Sequence, residues 1–236
     1  MLAVMMFAAL VQSVGGFGFS LMAVPLAAIA IDLPTAVVVV SIGSLLNVSM
    51  LCWRTRYDVN RGLAVRFNVP ALFGMPIGLA VLTLVDQRPL KIALGAIIIV
   101  ATMALMRGAA NLEPRRWLEM LAGWLSGILS TATGTNGPPL VLASQMRKLE
   151  PPVFRATLAF TFTLSGSVTL VLYVVASLVT RTEVVLALAA IPLIVIGQQV
   201  GLRLQPAFSG RRFDRLVYGL LLLSGVSVGV SGLLAG

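Results

Sequence analysis

Five stretches of this chain, residues 34–53, 63–85, 156–179, 184–202 and 216–234, carry at most one charge each and run for about the 20 residues that an α-helix needs to cross a bilayer. A sixth, 90–106, is shorter but usable. Transmembrane β-strands would instead alternate apolar and polar residues over about ten positions, and these runs are continuously Leu, Ala, Val and Ile. With 58% hydrophobic and 11% charged residues and a mean hydropathy of +1.01, the chain holds far more apolar surface than a water-soluble core can absorb. The sequence therefore predicts an all-α integral membrane protein, residues 1–236 forming one transmembrane domain in contact with lipid.

Residues 1–31 carry no charge. They lack the basic start of a secretory signal peptide, so they are expected to belong to the mature structure. The single cysteine, Cys52, permits no internal disulfide and no cysteine metal cluster. The net charge of +9 falls in short loops between the apolar runs, where Lys and Arg hold the cytoplasmic side, rather than in a patch for nucleic acid.

The two halves resemble each other at an offset that drifts from about 114 to about 124 residues, as expected of a transporter built from repeats. Pro25-Leu26 matches Pro139-Leu140, and Leu33-Pro34 matches Glu150-Pro151. Gly74 and Gly78 downstream of Pro70 match Gly197 and Gly201 downstream of Pro192. Arg88 and Lys91 before Gly95 match Arg212 and Arg215 before Gly219. Repeat one is placed at 1–107 and repeat two at 116–236.

Each repeat opens with a segment of 31 residues, 1–31 and 117–147, broken in its middle. The breaks read Gly15-Gly16-Phe17-Gly18-Phe19-Ser20 and Thr131-Ala132-Thr133-Gly134-Thr135-Asn136-Gly137-Pro138-Pro139. If both segments crossed fully, the 17 basic residues would divide 8 against 9. If both are hairpins that enter and leave on one side, they divide 14 against 3, and only this arrangement obeys the positive-inside bias. Each repeat is then a broken re-entrant hairpin plus three crossings. An odd number of crossings inverts the second repeat relative to the first, and both termini are expected in the periplasm.

Irregular backbone survives at membrane depth only where protein buries it or a wet cavity solvates it. Two facing breaks thus predict one site near the midplane. The start of each second half-helix, around Ser20 and around Asn136, offers unpaired N–H groups and a positive dipole end, which together favour a small anion. Gly16, Phe17 and Gly18 in the first break, and Thr133, Gly134, Thr135, Asn136 and Gly137 in the second, are the candidate contacts, the second set being more polar. Ser41, Ser44 and Asn47 form one polar stripe, and Thr157, Thr161 and Ser165 another. At least one of Gln198 and Gln199, between Gly197 and Gly201, should face protein or water, with Gln198 a candidate contact, while those glycines serve helix packing.

The chain has no histidine, and its eight carboxylates all sit at or near predicted helix ends. No proton relay, no hydrolase machinery, no metal site and no cofactor are expected. A cation carrier would need carboxylates or carbonyl rings along its path.

These residues carry a resemblance along nearly the whole chain. The Gly-rich break leading to Val24-Pro25-Leu26, the stretch Thr133-Gly134-Thr135-Asn136-Gly137-Pro138-Pro139-Leu140, and Phe154-Arg155-Ala156-Thr157-Leu158 resemble the sulfite exporter TauE/SafE family, also called the toluenesulfonate uptake permeases. The resemblance implies a small two-repeat transporter of sulfite, thiosulfate, sulfonates or related anions in the bacterial inner membrane. Arg155, in the matching stretch, is a candidate for attracting an anion at the inner mouth, beside its role as a positive-inside anchor. The alternative is a membrane scaffold or assembly protein whose glycines only pack helices, which would turn Thr133, Asn136 and Asn47 away from any shared cavity.

Overall fold

The apolar runs fold as helices that start and stop where the sequence supplies a reason. A computed structural model describes residues 2–27, 31, 33–84, 115–208 and 210–234, with scattered positions between 92 and 106. The elements are α1 (Leu2–Gly15), α2 (Phe19–Ala27), α3 (Leu33–Thr55), α4 (Arg61–Leu84), α5 (Arg116–Thr133), α6 (Gly137–Met146), α7 (Pro151–Val175), α8 (Arg181–Leu204) and α9 (Gly210–Leu234), with a short 3-10 turn at Gln205–Ala207. No strand occurs among the described residues. The predicted crossing at 90–106 lies mostly, and its flanking Arg88 and Lys91 wholly, outside the described residues.

Pro151 and Pro152 open α7, where their missing N–H groups cost nothing. Helix α8 opens on a capping box in which the Thr180 hydroxyl accepts from the Thr182 N–H at 3.3 Å and the Glu183 carboxylate accepts from the Thr180 N–H at 2.7 Å. Four helical segments are long and apolar enough to cross a membrane: Thr35–Thr55, Arg61–Leu84, Pro151–Val175 and Arg181–Ala207. They bury one stripe and leave the rest bare. On α4, Val65, Val69 and Phe73 are 59%, 49% and 71% exposed, an apolar face that hydrocarbon tolerates and water does not.

Helices α4 and α5, and helices α1 and α8, pack with backbones almost touching. A β-carbon on Gly78 of α4 would collide with the Ile128 carbonyl of α5, and one on Gly74 with the Trp124 carbonyl. Across the molecule, a β-carbon on Gly197 of α8 would collide with the Met6 carbonyl of α1, and one on Gly201 would sit 2.6 Å from the Leu10 carbonyl. These are small-residue interfaces of the kind that hold membrane helices together without a hydrophobic driving force.

Polar contacts gather the connections at one end. Glu119, in the first turn of α5, is buried between Arg66 of α4, at 2.9 Å, and Arg147, just past α6. The Asn60 N–H donates to the Thr157 hydroxyl at 3.0 Å, and Arg155 reaches the Phe208 carbonyl at 3.0 Å. At the opposite end of α3 and α7, Thr35 donates to Glu183 at 3.4 Å.

Candidate functional site

Both breaks lie where the sequence sets them. Helix α1 stops at Gly15, and Gly16 and Gly18 adopt φ of +84° and +111°, a left-handed region that side chains resist. Gly16 also lies against the Arg155 backbone, a β-carbon there coming within 3.1 Å of the Arg155 Cα. Helix α5 ends at Thr133 with Gly134 at φ +66°, the usual glycine close of a helix. The chain then doubles back: the Ser126 hydroxyl donates to the Asn136 carbonyl at 2.8 Å, and Gly18 packs beside Val11.

The starts of α2 and α6 meet. Gly137 packs on Phe17 and Leu21, and two small cavities of about 20 and 30 Å³ lie alongside, each with room for about a water molecule. Gln12, Gly18, Phe19, Ser20, Ser44, Thr135, Asn136, Gly137 and Phe162 border the first. Ser20, Ser41, Ser44, Ser130, Gly134, Asn136, Phe162 and Thr169 border the second. Ser20, Ser44 and Asn136 thus belong to both, one from each break and one from the helix between them.

Donors remain available there. Among the described residues the Ser20 and Ser44 hydroxyls have no protein partner. Asn136 spends its amide N–H on Ser165 at 3.1 Å. The first N–H groups of α2 have no partner within their helix. Pro138 and Pro139 remove two such donors from α6, leaving Gly137 and the side chains at that end. Neither cavity is lined by a charged residue.

The other predicted residues surround this centre. Phe17 is fully buried in the core behind it. Thr133 bonds the Leu129 carbonyl at 3.1 Å and the Thr135 hydroxyl at 2.6 Å, so the two threonines brace the break. Asn47 is buried and donates to Gln12 Oε1 at 2.8 Å, and Gln198 donates to the Asn47 carbonyl at 2.7 Å. Thr161 is buried without borders on either cavity, its hydroxyl lacking a partner. Thr157 sits away from the breaks, holding Asn60. Arg155 is buried, donating to the Val14 carbonyl at 2.7 Å and to Phe208 while its guanidinium lies 4.9 Å from the Phe213 ring centroid. It ties the end of α1 to the turn after α8.

Sequence reasoning passed over Gln12, Ser130, Thr169 and Phe162. Ser130 and Thr169 share a hydrogen bond of 2.7 Å between α5 and α7. Tyr173 donates to the Thr131 carbonyl at 2.9 Å. Gln12 did leave a signal, as the one amide in the first 31 residues.

Residues 1–228 match the family model described as "Sulfite exporter TauE/SafE". Among curated proteins, the chain is similar to the probable sulfite/organosulfonate exporter TauE of Cupriavidus necator, 28% identical over 141 residues, which are 59% of this chain and 55% of that protein. The matched part thus spans about half the length of that curated relative. No solved structure matches.

Proposed function

Because the chain belongs to the sulfite exporter TauE/SafE family, we propose that it is a membrane transporter, not an enzyme, that carries small sulfur-containing or organic anions such as sulfite, thiosulfate or sulfonates through the facing breaks of two repeats. The observation that carries this reading is the convergence of the α2 and α6 N-termini on Ser20, Ser44 and Asn136. Unpaired hydroxyls, N–H groups without a partner in their helix and two positive dipole ends border these cavities, an environment that suits an anion. Asn136 borders both cavities, which favours the transporter over the scaffold, while Thr133 and Asn47 border neither.

The packing supports an inverted repeat in the inner membrane. The first half-helix of each repeat lies along the glycine face of the other, α1 on Gly197 and Gly201, α5 on Gly74 and Gly78. The contacts of Arg66, Glu119, Arg147, Thr157 and Phe208 draw the basic connections to one end. That is the distribution expected if α1–α2 and α5–α6 are re-entrant hairpins, with the basic loops cytoplasmic and both termini periplasmic.

Thermal shift of the detergent-purified protein tests the site. Sulfite, thiosulfate or a sulfonate is expected to raise the melting temperature, and Asn136→Ala to weaken that effect by about tenfold in concentration, the loss of one hydrogen bond to a charged group. Stabilisation that the variant retains in full would move the site elsewhere.

A further inference from the structure

Arg155 is a buried cation without a counter-ion. It is 6% exposed, and among the described residues no carboxylate pairs with it. Its position near the start of α7 is also the unfavourable end of a helix dipole for a positive charge. Its partners are two carbonyls: Nε donates to Val14 at 2.7 Å and Nη2 to Phe208 at 3.0 Å. Neutral acceptors repay little of what it costs to take a guanidinium out of water.

The place of those carbonyls gives the charge a use. Val14 lies in the last turn of α1, where the carbonyls have no partner further along the helix and form the negative end of its dipole. The Val14 carbonyl accepts from Arg155, and the Ser13 carbonyl accepts from Gln205 Nε2 at 2.5 Å. Two residues from outside the hairpin therefore hold its tip, Arg155 on α7 and Gln205 in the 3-10 turn after α8, and Arg155 also holds that turn through Phe208. The Arg155 guanidinium lies 4.9 Å from the Phe213 ring centroid, and Phe213 borders a cavity of about 370 Å³ together with Lys148, Glu150, Asp214 and Tyr218. A line of contacts thus leads from this larger cavity through Phe213 and the Arg155 side chain to Gly16 in the first break.

The tip of the other hairpin is closed differently. Tyr173 donates to the Ser130 and Thr131 carbonyls at 3.3 and 2.9 Å, and its side chain is fully buried. Gln205 and Phe208 are half-buried. Water reaches the edge of the first closure and can take over its hydrogen bonds, which is the condition for local opening.

We propose that Arg155 and Gln205 form a latch that shuts the path between the first break and the face carrying the basic connections, and that release of this latch opens the path. The inference rests on the reading of the breaks as an anion route and supplies the gate on one side of it. An arginine held by carbonyls can let go without leaving an acid behind, and the carbonyls it frees are hydrated at the edge of the turn. The Glu119 contacts with Arg66 and Arg147 are the opposite case, a fixed brace, because parting them strands a buried carboxylate. Gates of this kind, in which a loop exchanges contacts at one mouth of a site, commonly control access to it.

Ser20, which borders both small cavities, supplies the reporter. In a Cys52→Ala background, a Ser20→Cys thiol is exposed to a small impermeant thiol reagent added to one side of membrane vesicles, with no anion substrate present. A parallel variant with a cysteine at position 56 identifies the face that carries the basic connections. From that face, labelling is expected to be about fivefold faster with Gln205→Leu and at least about tenfold faster with Arg155→Gln, reflecting the loss of a neutral and of a charge-assisted hydrogen bond. Labelling from the opposite face should not change. A general loosening of the fold would speed labelling from both faces, so equal acceleration from the two sides overturns the latch, as does an unchanged rate in variants that keep the wild-type size-exclusion profile. Gln205 is half-buried, so Gln205→Leu tests the latch even if Arg155→Gln does not fold, and Ser44→Cys serves as the reporter if Ser20→Cys does not. Because labelling needs no anion, one-sided acceleration in a protein that carries no sulfite would sink the transport reading and support the latch.

Discussion

Gln12, Asn47 and Gln198 come from three helices and share a chain of hydrogen bonds in the middle of an apolar protein. An amide placed there without a partner costs free energy, so each member depends on the next. Replacing Gln12 by Leu leaves the Asn47 amide group unpaired, and the expected loss is about 1–3 kcal/mol of stability, read as a lower melting temperature in detergent. The alanine variant of Thr157 should leave anion binding unchanged, since its hydroxyl only holds the Asn60 N–H. Residue type alone identified Ser20, Ser44 and Asn136 as candidates, because hydroxyls and amides are conspicuous in apolar helices. It did not tell that Ser44 borders the cavities while Thr157 and Thr161, on an equally regular polar stripe, do not, because helical spacing reports a face and not the depth or the neighbour that the face meets. Arg155 shows the same limit: its place at a helix start suggested an anion-facing mouth, while its guanidinium spends itself on backbone carbonyls.

Among elements, the glycine faces of α4 and α8 set how closely the half-helices α5 and α1 approach. Gly197→Leu drives a side chain into the Met6 carbonyl; overpacking of this kind costs about 1–3 kcal/mol or more and should cut the yield of folded protein in a size-exclusion profile. The Glu119 carboxylate joins α4, α5 and the end of α6, its arginine partners about a quarter exposed. Glu119→Gln should lower stability by about 1–3 kcal/mol, less than for a fully buried pair because water still reaches both arginines. The helix breaks were legible in the sequence because glycine and proline act locally, and the structure ends α1 and α5 at Gly15 and Thr133. Which helix each glycine pair faces was not legible. Four-residue spacing marks a packing surface, whereas its partner follows from three-dimensional contacts more than 40 positions away in the chain, as for Gly78 and Ile128.

For the whole molecule, charge counting gave a topology before any contact was known, because the membrane imposes one rule on every loop at once. The contacts of Glu119 with Arg66 and Arg147 join parts of three such loops or loop edges. Single cysteines in a Cys52→Ala background provide a direct check: positions 56 and 148 should react with an impermeant thiol reagent only from the cytoplasmic side, and position 177 only from the other. Labelling of 56 and 148 from opposite sides would break the hairpin topology. If anions pass between the two breaks, uptake of radiolabelled sulfite into proteoliposomes should separate the wild type from Ser44→Phe, whose ring would fill the space that Ser20, Ser44 and Asn136 border. Uptake is expected in the wild type and lost in a variant that still folds; uptake that persists undiminished when that space is filled would mean that anions do not pass between the breaks.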